Sequence, residues 1–333
     1  MLPYYDRDLS VRDPADANVA QSPHPMSSPP RVAGLVLNYN GRDVTLLTLQ
    51  SLLRLDYPAL DLVVIDNGST DDSRAAIAAA HPSLRQLQVA ENRGISWGLN
   101  HGLRWAVEAG YDYVLAMNND IEVAPDLLRF MVACAESDPA IGCVGPKSYY
   151  YYDRERLWSA GGLLRFRESV TRERGDREID RGQYDRDETV PYVNGCAMLA
   201  RREALERTGL WDPVYYVGVE DADWCVRMKR HGFRCQYAHR AKLWHMISHS
   251  LGVYRPTRTF HTGRSSAIYL RKYANPAQWA SSLVWFAAAV VVAYARELPR
   301  GNQSAAVAKL RGFLTGLRVE LAPIPEPPLV EPA

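Results

Sequence analysis

The sequence predicts an α/β protein in which a parallel sheet is covered by helices on both faces, with more helices appended at the C-terminal end. Three observations carry this. From residue 31 onward, short apolar runs alternate with amphipathic stretches, the pattern that builds parallel sheets. Each of the first four runs ends in a polar cluster rich in Asn, Asp and Gly, where sheets of this kind bind ligands, outside the strand carboxyl ends. Residues 277–295 then form an uncharged stretch of helical length.

Val32 to Leu37 is a short apolar run, hence a buried strand, and it ends in Asn38-Tyr39-Asn40-Gly41. Asp43 can cap a helix that carries Val44, Leu47, Thr48, Ser51, Leu52 and Leu55 on one face. Asp61 to Ile65 is a second strand, ending in Asp66-Asn67-Gly68-Ser69-Thr70-Asp71, and a helix follows through Ile77 to the His81-Pro82 break. Leu87 to Ala90 is a third strand, closed by Glu91-Asn92-Arg93-Gly94. The next helix carries Ile95, Leu99, Leu103 and Ala106 on one stripe. Tyr113 to Met117 is a fourth strand, ending in Asn118-Asn119-Asp120, and Pro125 opens another helix.

Arg165 to Glu188 is densely charged and reads as a solvated, mobile loop, the alternative being an acceptor-side flap. Val190 to Leu199 returns to strand character, with Gly195 inside it where another group can approach the backbone closely. Asp221 to His231 is a short helix stopped by Gly232. Cys235 to His239 and Lys242 to His245 read as short strands. Asn275-Pro276 opens the uncharged helix, and from Ser304 a last helix aligns Val307, Leu310, Phe313, Leu314 and Leu317.

The 333 residues carry a net charge of +1, which gives no electrostatic case for nucleic acid as a partner. Five cysteines without a CxxC pair read as buried thiols of a reducing compartment rather than a disulfide or zinc framework. No signal peptide opens the chain.

The polar clusters define a candidate ligand site built from Asn38, Asp66, Asn92 and Asp120. The dinucleotide fingerprint GxGxxG after the first strand and the phosphate loop GxxxxGK(S/T) are both absent. Asp66 can accept hydrogen bonds from a base or ribose. Asp120, at the end of a hydrophobic strand, can hold Mg²⁺ or Mn²⁺, which favour hard oxygen ligands and share them with phosphates. Further along, Glu220, Asp221 and Asp223 sit beside Tyr215, Tyr216 and Trp224. Such acids are either charges at the positive end of a helix dipole or carboxylates desolvated for general-base work.

Taken together, Asn38-Tyr39-Asn40, Asp66 to Asp71, Asn92-Arg93-Gly94, Asn118-Asn119-Asp120, Gly195-Cys196-Ala197-Met198-Leu199 and Glu220-Asp221-Ala222-Asp223 resemble, in order, the motifs of family 2 glycosyltransferases, and most closely its rhamnosyltransferase-like branch. The resemblance covers roughly residues 31–273. It implies a GT-A fold (a Rossmann-like mixed sheet) and an inverting, metal-dependent glycosyltransferase of hexosyltransferase type. It further implies a UDP- or dTDP-sugar donor and a glycan or lipid-linked acceptor.

By the same resemblance Asp66 binds the donor base, Asp120 the metal with His245 as second ligand, and Asp221 is the catalytic base. Asn38, Tyr39, Asn40, Asn92, Gly94 and Asn119 complete the donor site, while Gly195, Trp211, Glu220 and Trp224 lie on the acceptor side. Asn118 replaces the first Asp of the family's DxD motif. Arg264 is a candidate for the diphosphate or a surface residue, and His249 has no such support. A nucleotidyltransferase and a nucleotide-sugar-binding protein without catalysis are the alternatives. The first usually opens with a basic Gly-rich loop that Asn38-Tyr39-Asn40-Gly41 does not supply.

The expected organisation is a disordered tail over 1–30, the catalytic domain over 31–273, C-terminal helices over 274–322 and a Pro-rich tail over 323–333. The 277–295 stretch barely reaches spanning length and is diluted by Gln278, Ser281 and Ser282. It reads as an interfacial or partner-packed helix, with a true span as the alternative. The expected location is the cytoplasm, at the inner face of the cell membrane.

Overall fold

The sheet grows from its most buried strand. Val32–Asn38 (β1) alternates Ala33 and Leu35 toward one core with Val32 and Val36 toward the other, the period-two pattern of a strand covered on both faces. The computed structural model describes residues 28–246 and 255–322. Residues 1–27 and 323–333 of the expected tails, and His249, lie outside the described residues.

The elements that follow are α1 (Arg42–Leu52), β2 (Leu60–Asp66), α2 (Ser73–Ala80), β3 (Arg85–Gln88), α3 (Ile95–Glu108), β4 (Tyr113–Asn118), β5 (Ile121–Val123) and α4 (Leu127–Glu136). Next come β6 (Ile141–Tyr150), β7 (Asp153–Ser159), β8 (Gly162–Leu164), β9 (Thr171–Glu173), β10 (Glu188–Val190), β11 (Ala197–Arg201), α5 (Arg202–Thr208), α6 (Glu220–Arg230) and β12 (Arg234–His245). The last three α-helices among the described residues are α7 (Pro256–Tyr273), α8 (Pro276–Glu297) and α9 (Ser304–Gly316).

The strand order is β10-β12-β6-β11-β4-β1-β2-β3, with β5 on β12 and β7 on β6. β3, β2, β1 and β4 are parallel, and β11 runs antiparallel between β4 and β6, so the sheet is mixed. Helices α1, α2 and α4 cover one face through Leu49, Leu52, Ile77 and Met131. Helices α3, α5 and α6 cover the other through Leu99, Leu103, Leu205, Trp224 and Met228. All five cysteines are buried free thiols, and Cys143, Cys225 and Cys235 converge in the second core.

Three local expectations change. The third strand lies earlier, at Arg85–Gln88. The expected strand over 190–199 is two, because β10 pairs with β12 at the sheet edge whereas β11 inserts between β4 and β6, and residues 191–196 turn the chain between them. The expected pair at 235–245 is one strand along β6, with a register shift between Ala238 and Lys242.

The charged segment 165–188 is not a solvated loop either. It contains β9, which pairs antiparallel with β8 just before the segment, and it supplies partners to buried groups. Lys147 on β6 is fully buried and donates to Asp180 at 2.9 Å and to Asp185, and the Tyr149 hydroxyl donates to Asp180 at 2.6 Å. A buried ammonium needs such partners, and the charged segment is where the chain carries them.

At the C-terminal end α7 and α9 meet backbone to backbone. A Cβ on Gly312 would stand 1.9 Å from the Phe260 carbonyl, and one on Gly263 would stand 2.2 Å from that of Lys309. α8 packs on α9 through Phe286 and Phe313, whose ring centroids are 4.3 Å apart. It leaves Leu283, Val284, Trp285, Val291, Val292 and Tyr294 exposed.

Candidate active site

Parallel strands end at one edge of the sheet, so their polar caps are brought together by topology. Asn38 ends β1 and is fully buried. Its amide nitrogen donates to Asp66 (3.2 Å), Ser69 (3.2 Å) and Ser73 (3.0 Å), and its oxygen accepts from Thr45 (2.8 Å) and from Asn119 (3.3 Å). Asn119 also donates to Thr45 at 2.8 Å. Asn38 and Asn119 were expected to face the donor. Their side chains instead bond to one another and to their neighbours, which fixes the loops after β1, β2 and β4.

Asn40, held at φ 48, accepts from the backbone of Thr70 (2.7 Å) and Asp71 (3.2 Å), so it shapes the 66–71 loop. Asp66 receives the Ser69 amide at 3.0 Å, and Tyr39 stands exposed on the neighbouring loop. Asn92 accepts from the Gly94 amide at 2.9 Å and from Asn67 at 3.2 Å. Gly94 has φ 106, and a Cβ there would stand 2.5 Å from the Tyr216 Cα, so only glycine fits. The third loop is thereby closed onto the segment that leads into α6, where Ile95 donates to the Tyr216 carbonyl at 2.8 Å.

Asp120 follows β4 and His245 ends β12, and they meet at 3.0 Å (Oδ1 to Nε2) with both side chains largely buried. Burial would raise the Asp120 carboxyl, but its hydrogen bond and charge interaction with His245 outweigh that and hold it below the usual carboxylate range. His245 Nδ1 is buried without a hydrogen-bond partner among the described residues. An oxygen and an imidazole nitrogen converging from two strands are donors that Mn²⁺ or Mg²⁺ accept, so the residues fit a divalent ion.

Asp221 lies in the first turn of α6. It accepts from the Gly195 amide at 2.9 Å through Oδ2 and from the Ala222 amide at 2.7 Å through Oδ1. Gly195 sits in the turn before β11, and a Cβ there would press on the Trp211 ring at 3.0 Å and on Asp221 Cβ at 3.4 Å. Burial pushes the Asp221 carboxyl up to about 6 despite these donors. Glu220 is pushed up to about 8, first by burial and then by the Asp221 charge, and its Oε2 is buried without a hydrogen-bond partner among the described residues. Carboxyls tuned toward neutrality suit proton transfer.

One expectation fails here, and two further residues are engaged by protein partners. Trp224 is not on the acceptor side. It is fully buried in the core, with its indole N–H spent on the Gly209 carbonyl at 2.8 Å. Arg264 donates to the Val214 carbonyl at 2.6 Å and so braces the loop before α6. Asp223 is no dipole cap, because its fully buried carboxylate accepts from Arg227 (2.8 Å), Tyr215 (3.1 Å), Tyr273 (2.7 Å) and Lys272.

Two site residues escaped the sequence reading. Arg258 on α7 interacts electrostatically with both Asp120 and Glu220, linking the Asp120–His245 pair to the Glu220–Asp221 pair. Glu173, the last residue of β9, accepts hydrogen bonds from Tyr192 and Asn194. Nothing in the spacing around either residue sets it apart.

A mixed sheet with carboxylates gathered at its strand ends and helices on both faces is the GT-A architecture. The sequence profile described as glycosyltransferase like family 2 matches residues 29–272, and the chain belongs to that family. The chain is 24% identical over 220 residues to the poly-beta-1,6-N-acetyl-D-glucosamine synthase of Staphylococcus aureus (strain MSSA476). The match covers 66% of this chain and 50% of that protein, so the chain spans about half the length of this curated relative.

Among solved structures it is similar to the mannosyltransferase PcManGT from Pyrobaculum calidifontis in complex with GDP-Man and Mn²⁺ (TM-score 0.54, 21% identity, 88% of each chain covered). It is also similar to GalNAc-T7 with UDP, GalNAc and Mn²⁺ (TM-score 0.56, 14% identity, 71% of this chain and 47% of that one). At these identities the structural likeness is one of fold.

Proposed function

We propose that the chain is an inverting, divalent-metal-dependent glycosyltransferase. It moves a sugar from a nucleoside diphosphate donor to a hydroxyl of a glycan or lipid-linked acceptor in cell-surface polysaccharide synthesis. The observation that carries the reading is the shared carboxyl edge, where Arg258 interacts with both Asp120 of the Asp120–His245 pair and Glu220, the neighbour of the raised Asp221 carboxyl. Asp66 accepts from the donor base, with the exposed Tyr39 ring beside it. Asp120 and His245 hold the ion, which when bound neutralises charge on the departing diphosphate, and Arg258 adds a positive charge to the same place. Asp221 takes the acceptor proton from the side opposite the leaving group. The motif order makes a dTDP-linked deoxysugar such as rhamnose the first donor to test, with UDP-sugars next.

Calorimetry with dTDP and UDP, in Mn²⁺ and in chelator, tests the donor site. Asp66→Ala should weaken nucleoside diphosphate binding about tenfold or more, the cost of a lost charged hydrogen bond. Asp120→Ala should remove the Mn²⁺ dependence. Affinities equal to wild type, with the melting temperature kept, would exclude this site for the donor.

The exposed face of α8 belongs to the same reading. Pro276 to Arg300 is long and apolar enough to cross a membrane, yet Ser282 and Phe286 pack against the protein. Arg167 lies over Trp285 at 5.7 Å, and Arg296 and Arg300 follow at the helix end. An apolar face beside basic side chains suits the surface of an anionic cytoplasmic leaflet. Alkaline carbonate should release the protein from membranes, whereas retention until detergent is added would show that α8 spans.

A further inference from the structure

We propose that Glu173 is a positioning residue for Asp221, acting through the turn between β10 and β11; this rests on the reading of Asp221 as the base. Three donors converge on the Glu173 carboxylate: the Tyr192 hydroxyl at 2.8 Å, the Asn194 amide at 3.0 Å and the Ser159 hydroxyl. Only an ionised carboxylate can accept from all three without giving a proton of its own. Asn194 is thereby held with its oxygen on the Cys196 amide at 2.8 Å. That bond sets the turn, and the turn aims the Gly195 amide at Asp221 Oδ2, 2.9 Å away. Three successive hydrogen-bonded links therefore run from the charged hairpin to the first turn of α6.

The link is also electrostatic. Burial first, and then the Asp221 charge, push the Glu173 carboxyl up to about 7 even though its three donors pull it down. Facing it are Tyr192 and Cys196 on the turn and Asp221 on α6. Facing Asp221 are Glu220 and Cys225 on its own helix, Tyr192 and Cys196 on the turn, and Tyr269 on α7. The two carboxyls lie on either side of one turn, and the Asp221 charge is felt at Glu173. Glu173 holds the geometry of the base and, through the turn, the amide donor that favours its ionised form.

The test is the pH profile of transfer between pH 5 and 9 at saturating donor, in the full chain. Glu173→Gln should bind nucleoside diphosphate as wild type does and lose several-fold in kcat. Its acid limb should move to higher pH by about half a unit or more, because the Gly195 amide that lowers the Asp221 carboxyl is no longer aimed at it. Should that variant melt below the assay temperature, Tyr192→Phe serves instead. With one donor fewer, the Glu173 carboxylate and the turn beside it are held less firmly, and the limb should move in the same direction.

A folded Glu173→Gln with the wild-type profile overturns the proposal, and so does a kcat loss at an unmoved acid limb. Asp221→Asn in the same series keeps the two failures apart. Wild-type transfer by Asp221→Asn overturns the reading of the base. An inactive Asp221→Asn beside an unaltered Glu173→Gln overturns only the positioning role.

Discussion

Asp221→Asn is expected to keep the donor nucleotide and Mn²⁺ affinity of the wild type and to lower transfer by roughly 10²–10⁴-fold, the usual worth of a general base. The amide keeps the size of the side chain and one acceptor oxygen, so the Gly195 contact survives. What it loses is the proton acceptor. With the wild-type carboxyl raised to about 6, the base form prevails above that pH, and activity should fall as pH drops through about 6. Glu220→Gln should be milder, because a group pushed up to about 8 is already protonated near neutrality and cannot be the base there. Transfer rates and nucleotide affinities across the three proteins check the rank order.

Asp223→Ala should act on stability instead. It leaves Lys272 and Arg227 without the carboxylate that now receives both, and removing one member of a buried ion network costs about 3–5 kcal/mol. Thermal unfolding should show a fall of several degrees, with kcat near wild type in the protein that remains folded. An unchanged melting temperature would contradict this.

The pH dependence of stability follows by sign. The Asp223 carboxyl is lowered in the folded state: burial would raise it, but Lys272 and Arg227 outweigh that. Its contribution is therefore present above the unfolded value of about 3.9 and is lost as pH falls through the folded value. Glu173, Asp221 and Glu220 are raised to about 7, about 6 and about 8. They ionise first in the unfolded chain, so they subtract stability as pH rises from about 4 through those values.

The sheet was legible because its causes are local. A run such as Val32 to Leu37 has to be buried on both faces, and the polar turn after it has to lie at the carboxyl edge. Asp66 and Asp120 could be picked out for that reason, while Asp221 stood out as one of three acids among aromatic rings at a helix start, and the family resemblance suggested the roles proposed for all three. What stayed hidden depends on partners distant in sequence. Asp223 sits among acids at a helix start, and nothing nearby announces Lys272, which reaches it from 49 residues away. Trp224 stands beside those acids in sequence, but α6 turns it into the core, where it is fully buried. Asn38 looked like a ligand group because a buried Asn at a strand end must bond something, and here the partners are protein side chains. Glu173 was masked by the charges around it, since only the fold shows which one of a charged stretch is turned inward.

The central claim is a metal-dependent glycosyl donor site at the carboxyl edge of the sheet. The most direct measurement is nucleoside diphosphate release from a panel of dTDP- and UDP-sugars, in Mn²⁺ and in chelator, by the wild type and by Asp120→Ala. The account predicts release from at least one donor in Mn²⁺, abolished by chelator and by Asp120→Ala. Release at the same rate under chelator and in Asp120→Ala would contradict it.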